Sequence, residues 1–161
     1  MIFFPLLGLF TYLLTKCADH ASSSNLTSTL ARQICYPELL DGDFGARSLL
    51  EKVGLLADFG DKLGEVKEWS SVLSGGQKQR LSFARLLCHF ERLPEKDRKA
   101  KFAFLDEPVS AVSKEAVVEL IQLAQRAGIT LITISHSDVV DQLHPEGVVL
   151  KRGGEWEILK R

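Results

Sequence analysis

The alternation of apolar and polar residues predicts helices and strands in the second half of the chain. Two segments carry apolar residues at helical spacing, and two others are continuous apolar runs typical of strands buried on both faces. The predicted helices are Gln77–Phe90 and Lys114–Ala127, and the predicted strands are Phe102–Leu105 and Ile129–Ile134. Ser113 is a suitable N-cap for the second helix, and Gly128 is suited to end it. We therefore expect two buried strands, each next in sequence to a helix.

Shorter elements are predicted on either side of these four. They are a short ordered piece at Leu30–Tyr36 that ends at Pro37, a turn at 41–45, helices at Ala46–Val53 and Leu55–Phe59, a solvated charged loop at 92–101, and strands at Val148–Leu150 and Trp156–Leu159. The last two strands are separated by Gly153 and Gly154, which predicts a hairpin that turns at this pair.

The first 28 residues are the least predictable part of the chain. Ile2–Leu14 is apolar and is shorter than the roughly 20 residues that a helix needs to cross a bilayer. Its length fits the core of a signal peptide, but no Lys or Arg precedes it. Ser and Thr residues follow, which favours a loop or disorder. We expect residues 1–28 to be an inserted or disordered segment, with a gene-model artefact over 6–28 as the alternative.

Composition favours a globular protein with one domain. The chain has 161 residues, of which 45% are hydrophobic, enough for a core. Its net charge is −1, so no long-range field favours anionic lipid or nucleic acid, and we expect no nucleic-acid partner. The cysteines Cys17, Cys35 and Cys88 are odd in number and lack metal-ligand spacing, which favours a reducing compartment.

A glycine-rich stretch, Leu73-Ser74-Gly75-Gly76-Gln77, leads directly into the first predicted helix. Adjacent glycines allow unusual backbone angles and a close approach of a ligand. The start of a helix offers unpaired N–H groups and the positive end of the helix dipole, and Ser74 adds a hydroxyl donor. Together these features predict an anion site, with phosphate as the expected anion. An ordinary Ser-Gly-Gly turn that caps a helix is the alternative.

Charged and polar side chains follow the two predicted strands. Asp106 and Glu107 end the first strand, and Ser135 and His136 end the second. Ligands of open α/β sheets bind at the carboxyl ends of the strands. Adjacent residues on a strand point in opposite directions, so the two carboxylates cannot share one role. One can hold Mg²⁺ through a water while the other addresses an attacking water, and an imidazole here can bind a phosphate or orient the base.

These motifs resemble, in order, those of ATP-binding cassette (ABC) ATPases. Leu73–Gln77 is similar to the signature motif, Phe102–Pro108 to the Walker B strand, Ser110–Ser113 to the D-loop, and Ser135-His136 to the switch histidine. The finer resemblance is to subfamily D, the peroxisomal fatty-acyl transporters. It rests on Arg32–Pro37, Trp69, the Ser-Ala-Val-Ser D-loop, Ala127-Gly128-Ile129 and Gly153–Trp156.

The resemblance implies an α/β fold: a P-loop NTPase-like ABC cassette fragment with a mostly parallel sheet core and a small α-helical subdomain. Residues 29–161 would form a partial nucleotide-binding domain, with the helical subdomain and signature at 30–92 and the Walker B, D-loop, switch histidine and C-terminal strands at 102–161. Trp69 is expected to fill the core of the helical subdomain, with stacking on a nucleotide base as the alternative.

The resemblance also implies roles for individual residues. In this family the signature caps ATP that a second cassette binds. The implied site residues are Glu107 and His136 for catalysis, Asp106 for Mg²⁺ through a water, Leu73, Ser74, Gly75, Gly76 and Gln77 for nucleotide binding in trans, and Ser110, Ala111, Val112 and Ser113 in the D-loop. ATP and Mg²⁺ are the expected cofactors. A second ABC cassette, in a homodimer or heterodimer, is the expected partner.

No Gly-x-x-x-x-Gly-Lys-Ser/Thr phosphate loop occurs in the sequence. That loop would cradle the phosphates of the nucleotide that Asp106 and Glu107 serve. We therefore interpret the chain as the C-terminal portion of a nucleotide-binding domain, whose ATPase activity requires a longer protein or a dimer. A transmembrane domain is expected from a longer chain or a separate subunit.

Two functions from different classes follow from this interpretation. In the first, the chain belongs to a transporter that hydrolyses ATP to move fatty acyl or other lipid-like substrates across a peroxisomal or other organelle membrane, with the cassette on the cytosolic side. In the second, it is a stand-alone, non-catalytic partner that lends its signature to another ATPase. A third function, the head ATPase of a chromosome-structure or repair protein, requires long heptad repeats, and none is visible.

Overall fold

The computed structural model describes residues 10–14, 27–36, 45–92, 101–108 and 110–160. The strands are β1 (Phe10–Leu14), β2 (Ser28–Thr29), β3 (Val66–Lys67), β4 (Lys101–Asp106), β5 (Thr130–Ile134), β6 (Glu146–Leu150) and β7 (Trp156–Lys160). The helices are α1 (Leu30–Cys35), α2 (Ala46–Lys52), α3 (Leu56–Phe59), α4 (Trp69–Val72), α5 (Gly75–Arg92), α6 (Lys114–Arg126) and α7 (Asp138–Gln142). The predicted turn at 41–44 and the charged residues 93–100 lie outside the described residues.

A three-stranded parallel sheet in the order β1-β4-β5 positions the candidate residues Asp106, Glu107, Ser135 and His136. Leu14 pairs with Leu105, and Asp106 pairs with Ile134. Because the strands run in the same direction, their carboxyl ends meet at one edge. The α/β class is confirmed. The mostly parallel core is seen only in part, because the other two described sheets, β2-β3 and β6-β7, are antiparallel pairs.

Strand β1 corrects the expectation for the N-terminal segment. Within 1–28, Phe10–Leu14 pairs along its whole length with Lys101–Leu105, so this part is not disordered, and an insertion in this segment stays a prediction. Its aromatic and apolar residues suit a strand that pairs with another strand. Ser28 and Thr29 belong to the Ser/Thr-rich stretch expected to be a loop or disordered, but they form β2 and pair with Val66–Lys67. Residues 1–9 and 15–26 lie outside the described part of the chain.

The two strands predicted to be buried differ in their exposure. In β4 one face is buried and the other is half-buried. In β5 only Leu131 is buried, whereas Ile132 and Ile134 are 41% and 64% exposed. The prediction of a buried strand is therefore wrong for β5. The reason is its position at the end of the three-stranded sheet, with β4 on one side and no strand of the described residues on the other.

Helix α5 is the central helix of the fold. It contacts α1, α2, α6 and β1. Because it has so many neighbours, it buries more than the single predicted face: Phe83, Leu86 and Phe90 are buried as well. Ser82 is also buried, and its hydroxyl donates to the carbonyl oxygen of Lys78 at 3.0 Å. A polar group inside the helix is thereby satisfied.

Trp69 lies in the core of the helical part of the fold. The side chain is 2% exposed, its Nε1 donates to the carbonyl oxygen of Ser28 at 2.9 Å, and its ring meets the ring of Phe59 edge-on at 6.0 Å. Core filling is thus confirmed, and stacking on a nucleotide base is wrong because the ring is covered by protein.

Several predicted boundaries agree with the structure to within one or two residues. They include α2, α3, α6 and the hairpin β6-β7, in which Gly153 and Gly154 have φ of 90° and 85°. Helix α7 was not predicted. Among the described residues, no helix combines the length and apolar character that crossing a membrane requires.

Candidate functional site

The signature stretch forms the N-terminal end of α5. The backbone N–H of Gln77 donates to the Ser74 hydroxyl at 3.3 Å, and the side-chain oxygen of Gln77 accepts from the Ser74 N–H at 3.0 Å. This reciprocal pair is a capping box, which satisfies two backbone donors at the helix start. Leu73 is buried, whereas Ser74 and Gly75 are exposed to solvent. The start of an 18-residue helix is therefore open to a ligand.

The structure gives the two glycines a different role from the expected one. Neither has a positive φ, because both belong to the first turn of α5. The expectation of unusual backbone angles is therefore wrong. A Cβ at Gly76 would lie 2.8 Å from the carbonyl oxygen of Ala111, and a Cβ at Gly75 would lie 3.2 Å from the Cβ of Ala111. Glycine is needed at position 76 because the D-loop backbone packs directly on the helix.

The D-loop is fixed to α5 by Gln79. Its side-chain nitrogen donates to the Ser110 hydroxyl, and its side-chain oxygen accepts from the Ala111 N–H, both at 2.9 Å. Val112 packs against the hydrophobic core. Ser113 caps α6 by accepting from the Ala116 N–H at 3.3 Å. The D-loop residues thus connect α5 to α6.

The start of α6 also changes the ionisation of a carboxyl group. The backbone N–H of Glu115 and the hydroxyl of Ser113 donate to the Glu115 carboxylate and lower its pKa. The side chain is fully exposed, so this shift describes local hydrogen bonding at the helix start and not a buried functional group.

The carboxylates and the histidine meet at the carboxyl edge of the sheet. Asp106 is the last residue of β4 and is half-buried. The Glu107 N–H donates to the carbonyl oxygen of Ile134 at 2.9 Å, and its Oε1 accepts from the His136 N–H at 3.2 Å. The Nε2 of His136 lies 3.9 Å from the same Oε1, and the imidazole is fully exposed. The structure therefore brings Glu107 and His136 together.

The backbone at Glu107 has an uncommon conformation. Its φ is 44°, the single positive value at a non-glycine residue within the described ranges. Such a conformation costs a residue with a Cβ about 1–2 kcal/mol. The two hydrogen bonds to Ile134 and His136 hold it in place.

The donor groups at this edge fit a nucleotide-bound Mg²⁺. Mg²⁺ in such sites takes one or two carboxylates together with phosphate oxygens and waters. Asp106 would supply one carboxylate. Within the described ranges, no three His, Cys, Asp or Glu side chains form a group that would hold a metal ion by themselves.

Three polar residues to which sequence reasoning gave no role support the signature. Gln79 holds the D-loop, Asp58 accepts from the Gln77 side-chain nitrogen at 3.3 Å, and Arg80 donates to the carbonyl oxygen of Val53 at 2.9 Å. The position of Gln79 and Arg80 just after the signature was the available signal. Asp58 lies 19 residues before Gln77 and gave none.

The relatives found by comparison with known proteins agree on one family. No protein-family model matches the chain. ATP-binding cassette sub-family D member 1 of Drosophila melanogaster is 32% identical over 141 residues, which are 82% of this chain and 18% of that protein. The lysosomal cobalamin transporter ABCD4 of Mus musculus is 40% identical over 92 residues, which are 57% of this chain and 14% of that protein.

The fold has a counterpart among solved structures. The structure of a bacterial Atm1-family ABC exporter with ATP bound superposes with a TM-score of 0.62 at 16% identity, over 91% of this chain and 24% of that chain. At this identity the likeness shows the fold alone. The chain spans less than a fifth of the length of the two curated relatives. The sequence identities show that the chain is homologous to the ATP-binding cassettes of ABC transporters, with subfamily D members among its homologues, and the shared fold agrees with this homology.

Proposed function

We propose that the chain provides the signature side of an ATP site, and part of a catalytic edge, in an ABC ATPase that powers transmembrane transport. The observation that carries the proposal is the open start of α5, where Ser74 and Gly75 are exposed beside the D-loop. Unpaired N–H groups and the Ser74 hydroxyl at a helix N-terminus suit a phosphate group. Leu73, Gly76 and Gln77 lie at the same end of the helix, so all five signature residues belong to one surface.

The carboxyl edge of the sheet suits the hydrolytic step of the same enzyme. Glu107 would act as the general base toward an attacking water, and its carboxylate is oriented by the His136 N–H. The exposed imidazole of His136 would bind the terminal phosphate or orient that base. Asp106 would hold Mg²⁺ through a water, and the ion would supply charge stabilisation at the phosphates. ATP is the substrate in this proposal.

The partner in this proposal is a second cassette, and the transmembrane domain belongs to a longer chain or a separate subunit. Resemblance to subfamily D favours fatty acyl or other lipid-like substrates and an organelle membrane such as the peroxisomal one. The mouse relative is named as a lysosomal cobalamin transporter, so a relative from this subfamily has a different named substrate and organelle.

A second candidate function is a non-catalytic one, in which the chain lends its signature to a partner ATPase. The observation that favours it is the exposure of Ser74 and Gly75 at the start of α5, because lending this surface to a partner requires no catalytic residue of this chain. The first function requires ATP hydrolysis at the site that contains Glu107, and the second does not. Both give Ser74 and its neighbours the same role.

Nucleotide-dependent association tests the role of the signature. The full chain is immobilised and mixed with the purified intact cassette of the Drosophila relative, with and without Mg-ATP. We expect capture that depends on ATP and is lost in Ser74→Arg, because the new side chain fills the phosphate position. Gln122→Arg, which adds the same charge at an exposed position of α6, is the matched control. Equal capture with and without ATP, or by the Ser74→Arg variant, would contradict the proposal.

Substitution of the base separates the two functions. In a dimer that hydrolyses ATP at the site containing Glu107, Glu107→Gln should keep ATP-dependent association but slow hydrolysis by about 10²–10⁴-fold. Unchanged turnover would remove Glu107 from the catalytic role and leave the non-catalytic function.

A further inference from the structure

Two thiols meet inside the helical part of the fold. The Sγ of Cys88 donates to the Sγ of Cys35 at 3.5 Å, and the two residues are 4% and 6% exposed. Cys35 is the last residue of α1, and Cys88 lies in α5, 53 residues later in the sequence. Both are free thiols. The contact therefore connects two helices that pack side by side but are distant along the chain.

The separation of the two sulfurs suits the formation of a disulfide. An S–S bond is about 2.0 Å long, so the sulfurs need to approach by about 1.5 Å. Rotation about the two Cα–Cβ bonds, with a slight shift of α1, supplies this approach. A single buried cysteine acts as a small apolar residue. Two cysteines that touch across a helix interface have a second property, because they can become a covalent link between the helices.

The surroundings of Cys88 have two opposite effects on its ionisation. Burial has the larger effect and raises the pKa of the Cys88 thiol to about 12. The guanidinium of Arg92, one helical turn later, donates a hydrogen bond to the sulfur and favours the thiolate. The thiolate is the form that attacks a disulfide. We therefore expect the packed pair to react slowly at neutral pH and to react faster when the contact opens to solvent.

Helix α1 is the element whose opening would expose the pair. It has six residues, and a helix of this length is not stable by itself in water. Arg85 holds it on α5 by donating to the backbone carbonyl and the side-chain oxygen of Gln33 at 2.6 and 2.8 Å. Cys35 ends the helix, and the next residue, Tyr36, is 58% exposed. Opening of the last turn would expose Cys35 while α5 stays folded.

We propose that Cys35 and Cys88 are a reversible oxidation site, at which a low-molecular-weight disulfide converts the two thiols into a disulfide that links α1 to α5. In the first step the Cys35 thiolate attacks one sulfur of the reagent. A mixed disulfide forms, the S–S bond of the reagent breaks, and its other sulfur leaves as a thiolate that takes up the proton lost by Cys35.

The second step closes the link. The Cys88 thiolate attacks the Cys35 sulfur, the mixed disulfide breaks, and the second half of the reagent leaves as a thiolate that takes up the proton of Cys88. In total, two protein thiols and one reagent disulfide give one protein disulfide and two reagent thiols. An excess of the reagent thiol reverses both steps. The pair thus stays reduced in a reducing compartment and responds when the compartment becomes more oxidising.

The link would stabilise the helical part of the fold. A disulfide restricts the unfolded chain and so favours the folded state. By thermodynamic reciprocity, the fold favours the disulfide by the same factor. Cys88 lies 14 residues after Ser74 on α5, about 21 Å along the helix axis, so the link leaves the signature exposed. The oxidation site does not rest on the proposed function.

Peptide mapping of the full chain tests the link. Cys17, the third cysteine, is replaced by serine in every protein used. The chain is equilibrated with a mixture of reduced glutathione and excess glutathione disulfide, its remaining thiols are blocked, and it is digested with trypsin. We expect peptides 33–47 and 86–92 joined by a disulfide that dithiothreitol removes. Two unmodified thiols, or mixed disulfides with glutathione and no link, would overturn the proposal.

A relocated thiol is the matched control. Cys88→Ser combined with Gln122→Cys keeps the number of cysteines and moves one of them to an exposed position of α6. We expect this protein to form a mixed disulfide with glutathione at position 122 and no link to Cys35. Linking as extensive as that of Cys35 with Cys88 would show that the contact between α1 and α5 is not what directs the reaction.

The reciprocal stabilisation gives a second and quantitative test. We expect the equilibrium constant for forming the link in glutathione buffer to be at least about tenfold larger in the folded chain than in urea. The oxidised chain should unfold at a higher urea concentration than the reduced chain, whereas glutathione disulfide should not raise the midpoint of Cys35→Ser. An equal or lower midpoint for the oxidised chain would contradict stabilisation by the link.

One comparison separates this proposal from the role of the signature. The oxidised chain should keep the ATP-dependent capture that Ser74→Arg abolishes, and Ser74→Arg should form the link between Cys35 and Cys88 as completely as the unsubstituted chain. Loss of linking in Ser74→Arg would contradict an oxidation site that is independent of the signature. Failure of capture with normal linking would overturn the proposed function alone.

Discussion

The packing of the D-loop on α5 gives a prediction that can be tested by comparing substitutions at two neighbouring glycines, Gly75 and Gly76. A Cβ at Gly76 would meet the carbonyl oxygen of Ala111 at 2.8 Å, whereas a Cβ at Gly75 would meet a methyl group at 3.2 Å. Both glycines are in the first turn of the helix. Gly76→Ala and Gly75→Ala therefore share nearly the same backbone effect and differ in contact with the D-loop.

The expected free energies follow from two opposing effects. Alanine is favoured over glycine inside a helix by about 1 kcal/mol, and less at its first turn. Overpacking in a close contact costs typically about 1–3 kcal/mol. Gly76→Ala pushes on backbone that Gln79 holds, so the cost should exceed the gain. Gly75→Ala pushes on one methyl group that can shift slightly. We expect Gly76→Ala to be less stable than Gly75→Ala by about 1–2 kcal/mol.

Urea unfolding of the full chain, followed by the fluorescence of the buried Trp69, measures this difference. Hydrogen exchange at the Ala111 amide, which donates to Gln79, reports whether the D-loop is displaced. We expect faster exchange in Gly76→Ala than in Gly75→Ala. Equal stability of the two variants, together with equal exchange at Ala111, would show that the D-loop does not pack on the helix as the structure has it.

Three further predictions concern hydrogen bonds and ionisation. Gln79→Ala removes both hydrogen bonds to the D-loop, so the Ala111 amide should exchange at least about tenfold faster, with Gln79→Glu intermediate. Burial, with the Cys35 thiol beside it, raises the pKa of Cys88 from 9.0 to about 12. The Cys88 thiol of the unfolded chain loses its proton at a lower pH than that of the folded chain, so the free energy of unfolding should fall as pH rises from 9 toward 12. Alkaline denaturation measures this fall, which should be smaller in Cys88→Ser. Ser113→Ala should cost about 0.5–2 kcal/mol in thermal unfolding and raise the pKa of Glu115 in an NMR titration.

Sequence reasoning predicted the structure best where one local signal decides it. Ser113 caps α6 as predicted, and Gly128 follows that helix with a φ of 74°. The hairpin turn at Gly153 and Gly154 depends only on residues within the turn. The meeting of Glu107 and His136 followed from a general rule, that the carboxyl ends of parallel strands share an edge.

Features that depend on distant contacts could not be predicted. β1 becomes a strand because it pairs with β4, about 90 residues later, and its own composition suits other structures. The apolar run of β5 predicts a strand but carries no information on whether a neighbour covers it. Gly76 suggested a close approach, yet the approaching group is the Ala111 carbonyl of the same chain. A local pattern can show that space is needed without showing what fills it.

Glu107 shows most clearly how a departure from local rules supports a function. At every other positive-φ position among the described residues the chain has glycine, and each of those glycines avoids the strain that a Cβ would bring. At 107 it has glutamate with a φ of 44°, although glycine would relieve a cost of about 1–2 kcal/mol. The hydrogen bonds to Ile134 and His136 hold this conformation, and they place a carboxylate at the sheet edge. Folding alone would favour glycine at this position, so the strain at Glu107 supports a requirement for its carboxylate in the chemistry that we propose for this edge.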